Sequence, residues 1–312
     1  MDEAGALPLS ELGPQDCAGE QGANPRKEKA LREIVKFDAS DGVTLVGDTW
    51  LPHPGMAPRG SIVMLHGGGQ TRHAWRTAGE SFAQAGWHVL AYDARGHGDS
   101  GWVETGDYRF DTMVDDLRIA SELLPGRPVV IGASMGGIVA MLAVGEDTSF
   151  ARALVLVDIT PRMEEAGAAR IRAFMEANLE GFSTLREVSD AVHAYNPHRP
   201  RPASLDGLKK NVRLRADDRW YWHWDPQVLS QSDEGLSPAH TERLNRAAAA
   251  ITIPTLLVRG RHSDVVSDAG VEEMQALIPH AEVQSADAGH MIAGDDNGVF
   301  ASHVVQFLDR MD

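Results

Sequence analysis

The stretch VVIGASMGGIVAML, residues 129–142, decides how this chain is read. Three β-branched apolar residues lead into Gly132, Ala133, Ser134, Met135, Gly136 and Gly137, and an apolar helix-like run follows. Glycines are costly at a helix start unless the backbone there needs them. A serine in that place can cap a helix, belong to a phosphate loop or act as a nucleophile. The string G-A-S-M-G at 132–136 has the G-x-S-x-G spacing of a nucleophile elbow. In such a turn small neighbours let a strained serine project from the end of a strand. The helix that follows favours negative charge developing near Ser134.

Outward from this turn, short apolar runs alternate with helical patterns. LREIVKFDASDGVTLVGDTWLP reads as two strands around the turn Ala39-Ser40-Asp41-Gly42. SIVMLHGGG is a buried-type strand ending in three glycines, and a further apolar strand stops at Asp93. FDTMVDDLRIASELL places Phe110, Met113, Leu117 and Ile119–Ala120 near one helical face. PVVIGAS and ARALVLVDIT are two more short strands, with ITIPTLLVRGRHSD and AEVQSAD following later. This rhythm predicts an α/β fold, a mostly parallel sheet covered by helices on both faces.

A serine hydroxyl needs a base, and the base needs an orienting acid. Among the thirteen histidines, His290 in DAGH lies just past the last expected strand, and Asp264 in RGRHSD just past the strand before it. The chain order is then Ser, Asp, His. The loop HGGG at 66–69, after the third expected strand, offers backbone N–H groups for an oxyanion. A phosphate cradle fits poorly, because neither G-x-x-x-x-G-K-[ST] nor G-x-G-x-x-G spacing occurs there.

On these motifs the chain, from about residue 30 to 312, resembles the α/β-hydrolase superfamily, in its serine-nucleophile, cap-containing, esterase- or lactonase-like branch. The resemblance implies an α/β-hydrolase fold with about eight strands flanked by helices and a mainly helical cap insertion. It implies Ser134 as nucleophile, His290 as base and then acid, and Asp264 as the residue that fixes the imidazole. Asp158, after the strand LVLVD, is the rival acid because some members carry it there. Met135 and Gly68 are the expected oxyanion donors, with Gly67 or Gly69 as alternatives to Gly68. YDARGHGDSG at 92–101 resembles the family's loop after the fourth strand and is read as structural.

The expected organisation is a mobile N-terminal extension over 1–28, a core over 29–160, a cap over 161–249 and the remainder of the core over 250–312. Within the insertion, NVRLRADDRWYWHWDP (211–226) reads as a hairpin with Trp220, Trp222 and Trp224 on one face. They either wall an apolar pocket or fasten the cap to the core. Phe174, with Ile171 and Met175 on the same helix, is assigned to that cavity, and Gly67 and Arg72, with His73 beside it, to substrate contact.

Composition narrows the classes. Twenty-nine basic against 45 acidic residues give a formal charge of −16, which argues against a nucleic-acid partner. Cys17 is the only cysteine, so no internal disulfide and no cysteine-based zinc site are expected, and no metal or cofactor is called for. The N-terminus lacks a basic, apolar secretory signature, and no window reaches the ~18 apolar residues of a membrane span. Cytoplasmic residence is the expectation, with no membrane partner and an oligomeric state on which the sequence is silent. The function expected is hydrolysis of a small-molecule ester or lactone through an acyl-enzyme. The alternatives are a C–C bond hydrolase, a perhydrolase or a cofactor-free dioxygenase on the same fold. A non-catalytic small-ligand receptor is the reading from another class.

Overall fold

The computed structural model describes residues 31–53, 55–197, 201, 204–231, 237–292 and 297–311. The expected extension over 1–28 lies outside the described residues. In chain order the elements are β1 (Arg32–Asp38), β2 (Thr44–Trp50), β3 (Gly60–Leu65), α1 (Arg76–Gln84), β4 (Trp87–Tyr92), α2 (Phe110–Glu122), β5 (Val129–Ala133), α3 (Met135–Glu146) and β6 (Ala153–Val157). They continue with α4 (Glu165–Glu176), α5 (Leu185–Tyr195), β7 (Val212–Leu214), β8 (Trp220–Trp222), α6 (Pro238–Ala250), β9 (Thr255–Gly260), α7 (Asp268–Leu277), β10 (Glu282–Ala286) and α8 (Asn297–Asp309).

The eight long strands form one sheet in the order β1-β2-β4-β3-β5-β6-β9-β10. β2 pairs antiparallel with both β1 and β4, and every pairing from β4 through β10 is parallel. Alternation along the strands divides the core in two. Ile62 and Met64 of β3 face one layer and Val63 and Leu65 the other, so central strands such as β3, β5 and β6 read as near-continuous apolar runs. One layer is closed by α1 and α8, with Trp50, Trp75, Trp87 and Phe300 fully buried. The other is closed by α2, α3, α6 and α7. Residues Gly136 through Gly145 of α3 are all buried, as expected for a helix apolar on every side.

The segment after β6 builds a smaller cluster of its own around Met175, Phe182, Val188, Trp222, Trp224 and Leu229. It does not extend to residue 249 as expected. Leu244, Ala247 and Ala248 of α6 belong to the main core, and a Cβ on Gly145 would lie 2.2 Å from the Ala247 carbonyl oxygen. The alanine run at 247–250 is therefore a close helix–helix crossing against α3, and the insertion ends before Pro238. Among the described residues no helix is long and apolar enough to cross a membrane.

Candidate active site

Register places the site. β5 and β6 run side by side with Ala133 opposite Val157, so the next residues, Ser134 and Asp158, leave adjacent strands at the same sheet edge. Both adopt positive φ, 48° at Ser134 and 49° at Asp158. Such backbone costs on the order of 1–3 kcal/mol and persists only where the surroundings enforce it. At Ser134 those surroundings are glycines. A Cβ on Gly132 would fall 2.3 Å from the Gly136 oxygen, and one on Gly136 would fall 2.6 Å from Leu65 Cβ. The helix start can thus fold back over the strand end and leave the serine half-buried at the floor of a cavity.

His290 joins the two strands. Its Nε2 lies 3.0 Å from Ser134 Oγ, and its Nδ1 lies 2.8 Å from Asp158 Oδ2. A carboxylate only accepts, so Nδ1 carries the proton and Nε2 is left to accept from the serine hydroxyl. Asp158 is fully buried, and its oxygens also take the Gly260 N–H at 2.8 Å and the Ser263 hydroxyl. Three donors fix its orientation. The arrangement can move a proton from Ser134 to His290 and stabilise the imidazolium that results.

Asp264 is not part of this line. Its carboxylate pairs with Arg170 of α4 at 3.0 Å and is one-third exposed. The loop after β9 buries Val265 and Val266 and turns Ser263 toward Asp158, so the intervening side chain faces outward. The chain order Ser, Asp, His is satisfied by either aspartate, so spacing alone does not tell Asp264 from Asp158, and it is Asp158 that meets His290. The signal present in the sequence was the aspartate that directly terminates LVLV, the strand neighbouring the serine's.

The glycine loop flanks the serine. A Cβ on Gly67 would lie 3.2 Å from Ser134 Cβ, and Gly68 lines the cavity beside Ser134. The Gly67 N–H donates to Gln70 Oε1 at 3.0 Å and the Gly69 N–H to His97 Nε2 at 3.3 Å. Among the described residues no acceptor takes the N–H of Gly68, and the N–H of Met135, first in α3, has no intrahelical partner. These two amides are the ones available to an oxyanion.

Three buried histidines hold this loop from behind: His66 opens the HGGG run, His97 lies in the 92–101 loop read as structural, and His223 belongs to no motif that singles it out. His66 Nδ1 donates to the Gly67 carbonyl at 2.8 Å and its Nε2 accepts from the Ala94 N–H at 3.0 Å. His97 Nδ1 donates to the Arg95 carbonyl at 3.1 Å while its Nε2 receives Gly69. His223, from the insertion, donates from Nε2 to the Gly69 carbonyl at 3.2 Å and accepts the Gly98 N–H on Nδ1 at 2.8 Å. Every ring nitrogen is engaged in the neutral form. Burial accordingly pushes His66 down to about 4, His97 to about 3 and His223 well below the ordinary imidazole range.

The other expected contacts divide. Arg72 is buried under the floor, where its backbone N–H bonds Asp93 at 2.7 Å and its guanidinium pairs with Asp93, with Asp48 at 3.3 Å and with Asp99 at 2.9 Å. Burial would lower its pKa, but the three carboxylates outweigh that and raise it. It cannot reach a substrate, whereas His73 lines the cavity. Trp222 and Trp224 stack with centroids 4.7 Å apart and wall the cavity with Phe174. Trp220 does not: its backbone pairs with Phe182, and its ring packs within the insertion. Among the described residues no group of three His, Cys, Asp or Glu side chains is arranged to hold a metal.

An eight-stranded, mostly parallel sheet carrying a serine, a histidine and an aspartate at one edge defines a hydrolase class of fold. The family model described as alpha/beta hydrolase fold matches residues 60–296, and the chain belongs to that family. The esterase Rv0045c of Mycobacterium tuberculosis is 31% identical over 270 residues, covering 82% of this chain and 84% of that protein. A solved structure of the same M. tuberculosis esterase superposes with a TM-score of 0.72 at 27% identity, covering 90% of this chain and 92% of the other. The sn-1-specific diacylglycerol lipase ABHD11 of Danio rerio is 30% identical over 263 residues, 79% of this chain and 78% of its own. With esterases and hydrolases as its named relatives, the chain is an enzyme of ester-hydrolase-like type.

Proposed function

We propose that this enzyme is a serine hydrolase that cleaves a carboxylic ester or lactone of a small-to-medium, largely apolar substrate through an acyl-enzyme. The observation that carries this reading is the unbroken hydrogen-bonded line from Ser134 through His290 to Asp158 on a cavity floor. Ser134 Oγ attacks the carbonyl carbon as His290 Nε2 takes its proton. The oxyanion receives the N–H groups of Met135 and Gly68. Collapse breaks the C–O bond to the alcohol, which leaves with the proton from His290. A water deprotonated by His290 then attacks the acyl-serine, and the acid departs as Ser134 regains its proton.

Asp158 holds Nδ1 protonated throughout and offsets the imidazolium charge. The insertion after β6 acts as a cap whose Phe174, Trp222 and Trp224 supply apolar walls. The test is turnover of 4-nitrophenyl acetate and butanoate by Ser134→Ala. The reading requires loss of at least ~10³-fold in kcat with the fold intact, the scale on which removing a member of such a relay acts. Undiminished turnover would overturn it.

A further inference from the structure

Ser134 sits on the wall between two cavities of different character. The larger, about 320 Å³, lies between the start of α1 and the aromatic face of the insertion, and it contains His290 and Met291. The smaller, about 160 Å³, lies on the far side of Gly68 and Met135 and does not include His290. Four methionines, Met113, Met135, Met163 and Met175, line it together with Ile138 and Val228. Its polar side chains have partners of their own. The Tyr108 hydroxyl donates to Asp225 at 2.6 Å, and Arg172 Nε to Glu176 at 2.7 Å.

The direction of proton transfer assigns the two cavities. In the tetrahedral intermediate the carbon bears Ser134 Oγ, the oxyanion, the leaving oxygen and the acyl chain. The oxyanion points to the Gly68 and Met135 amides. The leaving oxygen must lie where His290 Nε2 can protonate it, on the side of the larger cavity. The remaining substituent is directed past Gly68 into the methionine chamber. We propose that this chamber is the acyl site, that it takes a short aliphatic acyl chain, and that the larger aromatic cavity takes the alcohol. The proposal rests on the serine-hydrolase reading above.

Size and chemistry define the class. At ~30 Å³ for each water-sized group, the chamber holds about five non-hydrogen atoms beyond the carbonyl carbon, so a hexanoyl chain fills it and shorter chains fit with room left over. Flexible thioethers adapt to straight or singly branched chains. A charged or hydroxylated chain would be desolvated there without a partner, which disfavours it strongly.

Two ester series separate the assignments. The first varies the acid from acetyl to decanoyl on a constant 4-nitrophenol. The second keeps acetate and enlarges the alcohol from ethyl to benzyl to naphthylmethyl. We expect kcat/KM in the first series to rise about fourfold per methylene up to about hexanoyl and then fall. Met163→Trp, which narrows the chamber, should lower the hexanoyl-to-acetyl ratio at least tenfold and leave the naphthylmethyl-to-ethyl ratio where it was. Thr77→Trp, in the larger cavity, should do the reverse. Val228→Phe is read in the same way as Met163→Trp should that variant fail to fold.

An acyl profile that rises through decanoyl, or a Met163→Trp effect confined to the alcohol series, overturns the assignment. Failure of the underlying reading looks different. In that case neither series is turned over and a fluorophosphonate does not label Ser134.

Discussion

Replacing Asp158 by Asn keeps the side chain's size and exchanges one acceptor oxygen for an NH2 group. The carboxylate now accepts from Gly260 N–H on one oxygen and from His290 Nδ1 and Ser263 on the other. An asparagine that keeps its oxygen on Gly260 presents the NH2 to His290. Nδ1 must then accept, the ring proton moves to Nε2, and the imidazole can no longer take the proton of Ser134. A wrong tautomer in intact geometry costs about 10⁴ in kcat, or roughly 5 kcal/mol of barrier, in the well-studied serine protease case. We expect a loss of 10³- to 10⁴-fold in kcat for Asp158→Asn on 4-nitrophenyl butanoate, with KM within a few-fold.

Asp264→Asn breaks only an ion pair in which both side chains are at least one-third exposed. Such pairs contribute about 0–1 kcal/mol, so activity should stay within about twofold. The assay is initial rates on both variants, with near-ultraviolet circular dichroism as the fold control. Full activity in Asp158→Asn together with a large loss in Asp264→Asn would refute the reasoning.

Three further outcomes follow from the same contacts. His223→Ala leaves the Gly69 carbonyl and the Gly98 N–H without a partner and loosens the glycine loop. It should lower kcat by about 10- to 100-fold, more than it changes KM. An unchanged kcat would contradict that role. Arg95, fully buried, bonds Asp116 through Nε and Nη2 at 2.7 Å each and Asp41 at 2.7 Å. Arg95→Ala strands Asp116 and should cost about 3–5 kcal/mol in urea unfolding. His66 and His97 stay neutral in the fold down to about 4 and about 3, whereas in the unfolded chain both protonate near 6.5. The unfolded state therefore binds more protons below pH 6.5, and stability falls as pH falls. The slope from these two groups approaches about 2.7 kcal/mol per unit between pH 6 and 4.5. A urea midpoint flat over that range would contradict it.

Much of this was legible in the chain. The apolar runs ending at Leu65, Tyr92, Ala133 and Val157 announced the parallel centre of the sheet, because strands buried on both faces cannot hide their composition. Gly132 and Gly136 announced the elbow because no Cβ fits there. What escaped was whatever depends on which way a loop turns. Asp264 and Asp158 each follow a strand, and only the turn at Ser263 shows which carboxylate meets His290. Arg72 follows the glycine loop closely in sequence but is drawn inward by Asp93, Asp48 and Asp99, which lie on other segments. Pro238–Ala250 reads as part of the insertion until its small residues are seen against Gly145. His223 is one polar residue between two tryptophans, and nothing local tells that its ring reaches the Gly69 carbonyl.

The central claim is that Ser134 carries the acyl group during turnover. Intact-protein and peptide mass spectrometry after a rapid acid quench with 4-nitrophenyl butanoate, alongside a fluorophosphonate-treated sample, tests it directly. The account predicts one added butanoyl or phosphonyl group per chain, on the peptide containing Ser134, and none on Ser134→Ala. Ester turnover with the adduct on another residue, or undiminished turnover in the Ser134→Ala chain, would contradict it.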